Sequence, residues 1–108
     1  MLLSLHTVAI RLRQARERAG LSQKKLGVLA GIDEFSASPR INQYERGKHV
    51  PDVYMVERLA RVLNIPTIFM YCEDETMADF ILDFNALSEE AKTNAILHMK
   101  SLKVSSDA

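Results

Sequence analysis

Apolar residues in this chain recur at three- and four-residue intervals almost from end to end, and they hardly anywhere alternate. That spacing lines one face of a helix and gives a strand no inward side. Gly20, Gly31 and Gly47 each follow a short periodic segment, and Pro51 and Pro66 mark further breaks. The chain is therefore read as all-α, a series of short helices with tight connections. Its 108 residues are enough for one compact domain and too few for two ordinary ones.

The first helix is predicted over Leu5–Ala19, capped by Ser4, with Val8, Leu12, Ala15 and Ala19 as its apolar stripe and Arg11, Arg13, Arg16 and Arg18 mostly off it. Ser22 caps a second helix, Gln23–Ala30. A third begins at Ser38-Pro39 and runs to Arg46, with Ser36 as a rival cap. Asp52 caps a fourth, Val53–Leu63, whose inner face is Val56, Leu59, Ala60 and Leu63. Thr67 caps a short fifth through Tyr71. Cys72-Glu73-Asp74-Glu75 then reads as an acidic joint, followed by helices over Met77–Asn85 and Glu89–Leu102, the last capped by Ser88.

Composition excludes several classes. With 47% apolar and 26% charged residues the chain is of the folded globular type, not the disordered one. No apolar run approaches the roughly 20 residues needed to cross a bilayer, and the first residues lack the pattern of a secretory signal. The single cysteine, Cys72, rules out an internal disulfide or a zinc site of paired cysteines, and fits a reducing cytoplasm. Three adjacent acids rarely converge on one ion, and His6, His49 and His98 are scattered, so no metal is expected. No nucleophile–base pair or phosphate-cradling glycine loop is in view, so neither a cofactor nor an enzymatic activity is expected.

The zero net charge conceals an asymmetry. Residues 1–51 carry nine Lys/Arg against four acids, and residues 52–108 carry five against ten. A basic half joined to an acidic half points to one end that attracts a polyanion and another with a different task.

Arg11-Leu12-Arg13, Arg16, Gly20-Leu21-Ser22-Gln23, Leu26 and Ala30-Gly31-Ile32 are followed in order by Ile41, Tyr44-Glu45-Arg46-Gly47-Lys48 and Pro51. In these residues the chain resembles the lambda-repressor-like family that includes Cro, also called the XRE family of helix-turn-helix regulators. The likeness covers about residues 5–72. It implies a five-helix DNA-binding domain over 1–75, with a two-helix extension over 76–108.

The third helix, 38–46, would then enter the major groove. Ile41 and Tyr44 would point inward, leaving Ser38, Pro39, Asn42 and Gln43 outward with Arg40 beside them. Amides pair two-pronged with adenine, and arginine does so with guanine. The resemblance places Gln43 on a base-contacting position and Gln23 within reach of a phosphate. Lys24, Arg46, Lys48 and His49 are further phosphate candidates, and Ser36 is grouped with the DNA-facing set. It also pairs Arg16 with Glu45 as a structural link, whereas Arg13 and Arg18 are read as a solvated face.

One stretch departs from the family. About four residues usually separate the two isoleucines there, whereas Asp33–Arg40 fill the interval here with eight. Either the third helix begins earlier or the turn itself touches DNA. Residues from Ile41 onward match the family position by position, and those from Ser36 to Arg40 do not.

The segment Met77–Asn85 is apolar nearly all round, so it must bury more than one face. Met77, Phe80, Ile81 and Phe84, with Ile96 and Met99 of the next helix, are predicted to form a homodimer interface. Two-fold binding to an inverted repeat would follow, as would repression by covering a promoter. The alternative is a protein-interaction module, antitoxin-like, whose last helices bind an unrelated protein partner.

Overall fold

The computed structural model describes the backbone of residues 5–107 and the side chains of residues 6–104. Every α-helical or 3-10 element in that range is helical: α1 (Leu5–Ala19), α2 (Gln23–Leu29), α3 (Ala37–Glu45), α4 (Val53–Leu63), a 3-10 segment (Thr67–Tyr71), α5 (Glu75–Asn85) and α6 (Glu89–Asp107). The all-α expectation and the element order hold. The predicted cap at Ser4 lies outside the described residues.

Three caps close as short side-chain bonds to orphan N–H groups. Ser22 Oγ accepts from Lys25 N at 3.0 Å, Asp52 Oδ1 from Met55 N at 2.8 Å and Ser88 Oγ from Ala91 N at 3.1 Å. Several boundaries differ from the sequence reading, and α2 and α3 each end one residue earlier, at Leu29 and Glu45. The helix α3 starts at Ala37 rather than at Ser38-Pro39, and Ser36 occupies the cap position without a side-chain cap bond. Pro39 therefore falls third in the helix, still within the first turn where no N–H is required. Thr67 opens the 3-10 segment rather than capping it, since Pro66 precedes it as the flanking residue. The helix α5 starts at Glu75, because Asp74 of the acidic stretch accepts from Met77 N at 2.8 Å and caps it. The last helix extends through Asp107.

The core gathers around Leu12, Leu26, Ile41, Val56, Leu59, Phe69 and Met70, all buried. The stripe on α1 is Val8, Leu12 and Ala15; Ala19 is exposed, one turn past the point where α1 meets its neighbours. Arg11 is a larger departure: it is only 4% exposed. Its Nε donates to the Cys72 carbonyl at 2.8 Å and its Nη2 to the Glu73 carbonyl at 3.0 Å. Its guanidinium also lies over the Phe69 ring, 5.9 Å from the centroid. A side chain at i+3 from Val8 and i−4 from Ala15 is on the buried stripe whatever its charge, and here a desolvated cation is matched with carbonyl acceptors.

The pair α2–α3 packs closest. A Cβ on Gly27 would lie 2.7 Å from Ala37 Cβ and 3.0 Å from Ala37 Cα. Glycine in mid-helix normally weakens a helix; here it lets the two backbones meet. At the other end of α3, Gly47 takes φ +73°, and the Lys48 N–H returns to the Gln43 carbonyl at 3.0 Å.

Gly27→Ala is expected to lower the unfolding free energy by about 1–3 kcal/mol despite alanine's better helix propensity. The loss should be smaller when Ala37 is already glycine. Urea titrations of the two single variants and the double variant measure both.

Candidate nucleic-acid interface

Helix α3 is held from behind by a buried ion pair. Arg16 Nε lies 2.6 Å from Glu45 Oε2, and its Nη2 donates to Oε1 at 3.0 Å. The remaining Nη1 donates to the Leu21 carbonyl at 2.9 Å. Gln23 Nε2 adds a bond to Glu45 Oε1 at 3.2 Å. The Arg16 and Glu45 side chains are 14% and 4% exposed. The hydrogen-bonded Glu45 carboxylate raises the pKa of the Arg16 guanidinium above its ordinary value. The C-terminal half of α1, the start of α2 and the end of α3 thus meet at one carboxylate.

This bracing fixes which side of α3 faces out. Ile41 and Tyr44 are buried, as is Ala37. Pro39, Arg40 and Gln43 are exposed, and Ser38 and Asn42 half-buried. Arg40, Gln43 and His49 border one open cleft with Val50 and Asp52. Arg46 and Lys48 stand exposed beyond the end of the helix. The result is a strip of amide, guanidinium and ammonium groups, able to donate and accept toward base edges and to donate to phosphates.

Three members of the predicted set, Gln23, Lys24 and Ser36, have partners within the chain. Gln23 spends one amide N–H on Glu45, which leaves its second N–H and its backbone for another acceptor. Lys24 Nζ lies 3.5 Å from Glu34 Oε1, with both side chains more than half exposed. A pair in that setting is weak and readily exchanged for a phosphate. Ser36 sits half-buried in the turn ahead of α3 rather than on its outward strip.

The six apolar residues assigned to the extension fall on two elements. On α5, Met77 and Phe80 are exposed, whereas Ile81 and Phe84 are half-buried. Phe80 and Phe84 stack with centroids 5.8 Å apart, and Lys92 Nζ of α6 lies 5.9 Å from the Phe84 centroid. On α6, Ile96 and Met99 are exposed together with Leu97, Leu102 and Val104. Among the described residues no three His, Cys, Asp or Glu side chains converge as metal ligands would, and no helix is long and apolar enough to cross a membrane.

A helix-turn-helix domain family matches residues 7–67, the stretch from α1 to the 3-10 segment. The chain belongs to the helix-turn-helix family of transcriptional regulators. It is 44% identical to the transcriptional regulator BswR, whose crystal structure superposes with a TM-score of 0.87 over 90% of this chain and 96% of that one. It is also 25% identical over 100 residues to uncharacterized HTH-type transcriptional regulators of Sinorhizobium medicae and Rhizobium meliloti, covering 81% of this chain and 69% of each relative. The BswR likeness runs past the matched domain into the C-terminal helices. Transcriptional regulators of this family work by binding, not by catalysis.

Arg16→Met strands Glu45, which is 4% exposed, with Gln23 as its remaining side-chain donor. It is expected to cost roughly 3–5 kcal/mol of stability in denaturant unfolding. Replacing both partners with apolar residues should recover much of that loss.

Proposed function

We propose that this chain is a lambda-repressor-like regulator that binds operator DNA as a homodimer in the cytoplasm and represses by covering a promoter. The observation that carries the reading is the outward strip of α3, Arg40, Asn42 and Gln43, held against the core through Ile41 and Tyr44. Gln43 is the base-reading amide, with Ser38, Pro39, Asn42 and Arg40 beside it in the groove. Lys24, Arg46 and Lys48 hold phosphates, and Gln23 and Ser36 complete the set at its margins.

The charge partition supports the same orientation. The half that contains α1 to α3 is basic and the half that contains α5 and α6 is acidic, so a polyanion is drawn to one end and turned from the other. Residues 76–108 act as the dimerisation element. Its occupant is a second copy of the chain: the exposed Met77 and Phe80 on α5 and Ile96 and Met99 on α6 repeat on a two-fold partner without new chemistry. Two copies related in this way must present their α3 helices about 34 Å apart, one turn of B-DNA.

Affinity for duplex DNA should fall steeply between low and moderate salt as phosphate contacts release counterions. Gln43→Ala should weaken selected sites by roughly 1–3 kcal/mol and leave random-sequence binding nearly unchanged. Quantitative gel shifts across a salt series measure both, and equal losses on both DNAs would reduce Gln43 to a positioning role.

Ile96→Glu with Met99→Glu should convert a dimer to a monomer in sedimentation and weaken binding to an inverted repeat, with helicity kept because both side chains are exposed. A dimer that persists would put the interface elsewhere.

A further inference from the structure

Residues 30–36, the turn that joins α2 to α3, carry Phe35 at 91% exposure, more open than any other large apolar side chain among the described residues. Single exposed apolar residues are ordinary on protein surfaces. Phe35 differs in how it is held and where it stands.

The turn is pinned at both ends. Ile32 is buried at one end and Ala37, seated on Gly27, at the other. Between them Asp33 Oδ1 accepts from Phe35 N at 2.9 Å and Ser36 N at 3.2 Å, and the Asp33 carbonyl accepts from Ser36 N at 3.1 Å. The Ser36 hydroxyl, followed by the Phe35 N–H, holds the Asp33 carboxyl below its ordinary value. A turn with this many internal bonds holds its backbone, and so the direction of the Phe35 Cα–Cβ bond, before any partner binds.

The acids beside Phe35 do not bar DNA. Asp33 is occupied by its own backbone with Arg40 nearby, and the Lys24 ammonium, 3.5 Å from Glu34 and with three N–H donors, can lie between that carboxylate and a phosphate. The feature left without an internal counterpart is an aromatic ring, two residues ahead of the helix that carries Gln43. In the major groove the apolar group available to a ring is the C5 methyl of thymine.

We infer that Phe35 is a specificity residue which packs on a thymine methyl within each half-site. This rests on the DNA-binding reading above and adds a base preference that the amides of α3 do not supply.

The test uses the full-length chain. Sites are selected from random duplexes by the natural protein and by Phe35→Ala, and each thymine of the natural protein's site is then replaced by deoxyuridine. One thymine in each half-site is expected at which methyl removal weakens the natural protein about fourfold, the worth of one buried methyl. Phe35→Ala should bind the intact site weaker by at least as much and be indifferent to that methyl, while Phe35→Leu keeps part of the methyl dependence. Thermal unfolding of Phe35→Ala should match that of the natural chain. Identical selected sites and identical methyl sensitivity in Phe35→Ala would overturn the inference. So would an equal loss on every DNA sequence, which would mean a contact to the backbone. Absence of any DNA binding by the natural protein would instead fall on the proposed function itself.

Discussion

The buried pair between Arg16 and Glu45 is the constraint on which the outward face of α3 depends. A nine-residue helix such as α3 is too short to be stable alone, and its outward face has meaning only if its rotation is fixed. Ile41 and Tyr44 set that rotation through burial, which is non-directional and tolerates small shifts. The two-pronged bond from Arg16 to Glu45 adds direction, since a guanidinium fork meets a carboxylate in one plane. Through Gln23 the same carboxylate also registers α2 against α3. Two charges taken out of water need not add net stability. What they add here is a fixed angle between three short elements.

Much of this was legible from residue types because the signals were local. Ser22, Asp52 and Ser88 cap helices at the predicted positions because the bond they make spans three residues and asks nothing of the rest of the fold. The start of α3 was not legible. Serine before proline is a sound helix opening, yet Asp33, four residues earlier than Ala37, bonds the backbone of Phe35 and Ser36 and launches the helix sooner. Close packing of Ala37 on Gly27 then holds it there, a contact between residues ten apart that no local pattern announces. Asp74 was hidden in the same way, as one acid among three that turns out to be a cap.

Arg11 was missed for a different cause. Its position on α1 belongs to the apolar stripe, and its charge argued against burial. The acceptors that make burial tolerable are the carbonyls of Cys72 and Glu73, more than sixty residues away in sequence. Periodicity could have placed Arg11 inside; nothing local could have named its partners.

Those partners bear on how the two halves of the chain work together. The clamp from Arg11 holds the segment just before α5, and Ala78 and Leu82 of α5 are part of the same core as Leu12 and Ile41. The helix α5 is therefore not hung on a flexible linker: its first turns are fixed to α1, and α1 is fixed to α3 through Arg16. An interface carried by α5 would inherit that chain of rigid contacts. The separation of two reading helices across a two-fold axis would then be set by packing within each subunit. In the proposed homodimer half-site spacing would then follow from the fold, and a substitution at Arg11, which is buried on α1, would act on spacing rather than on which base is read.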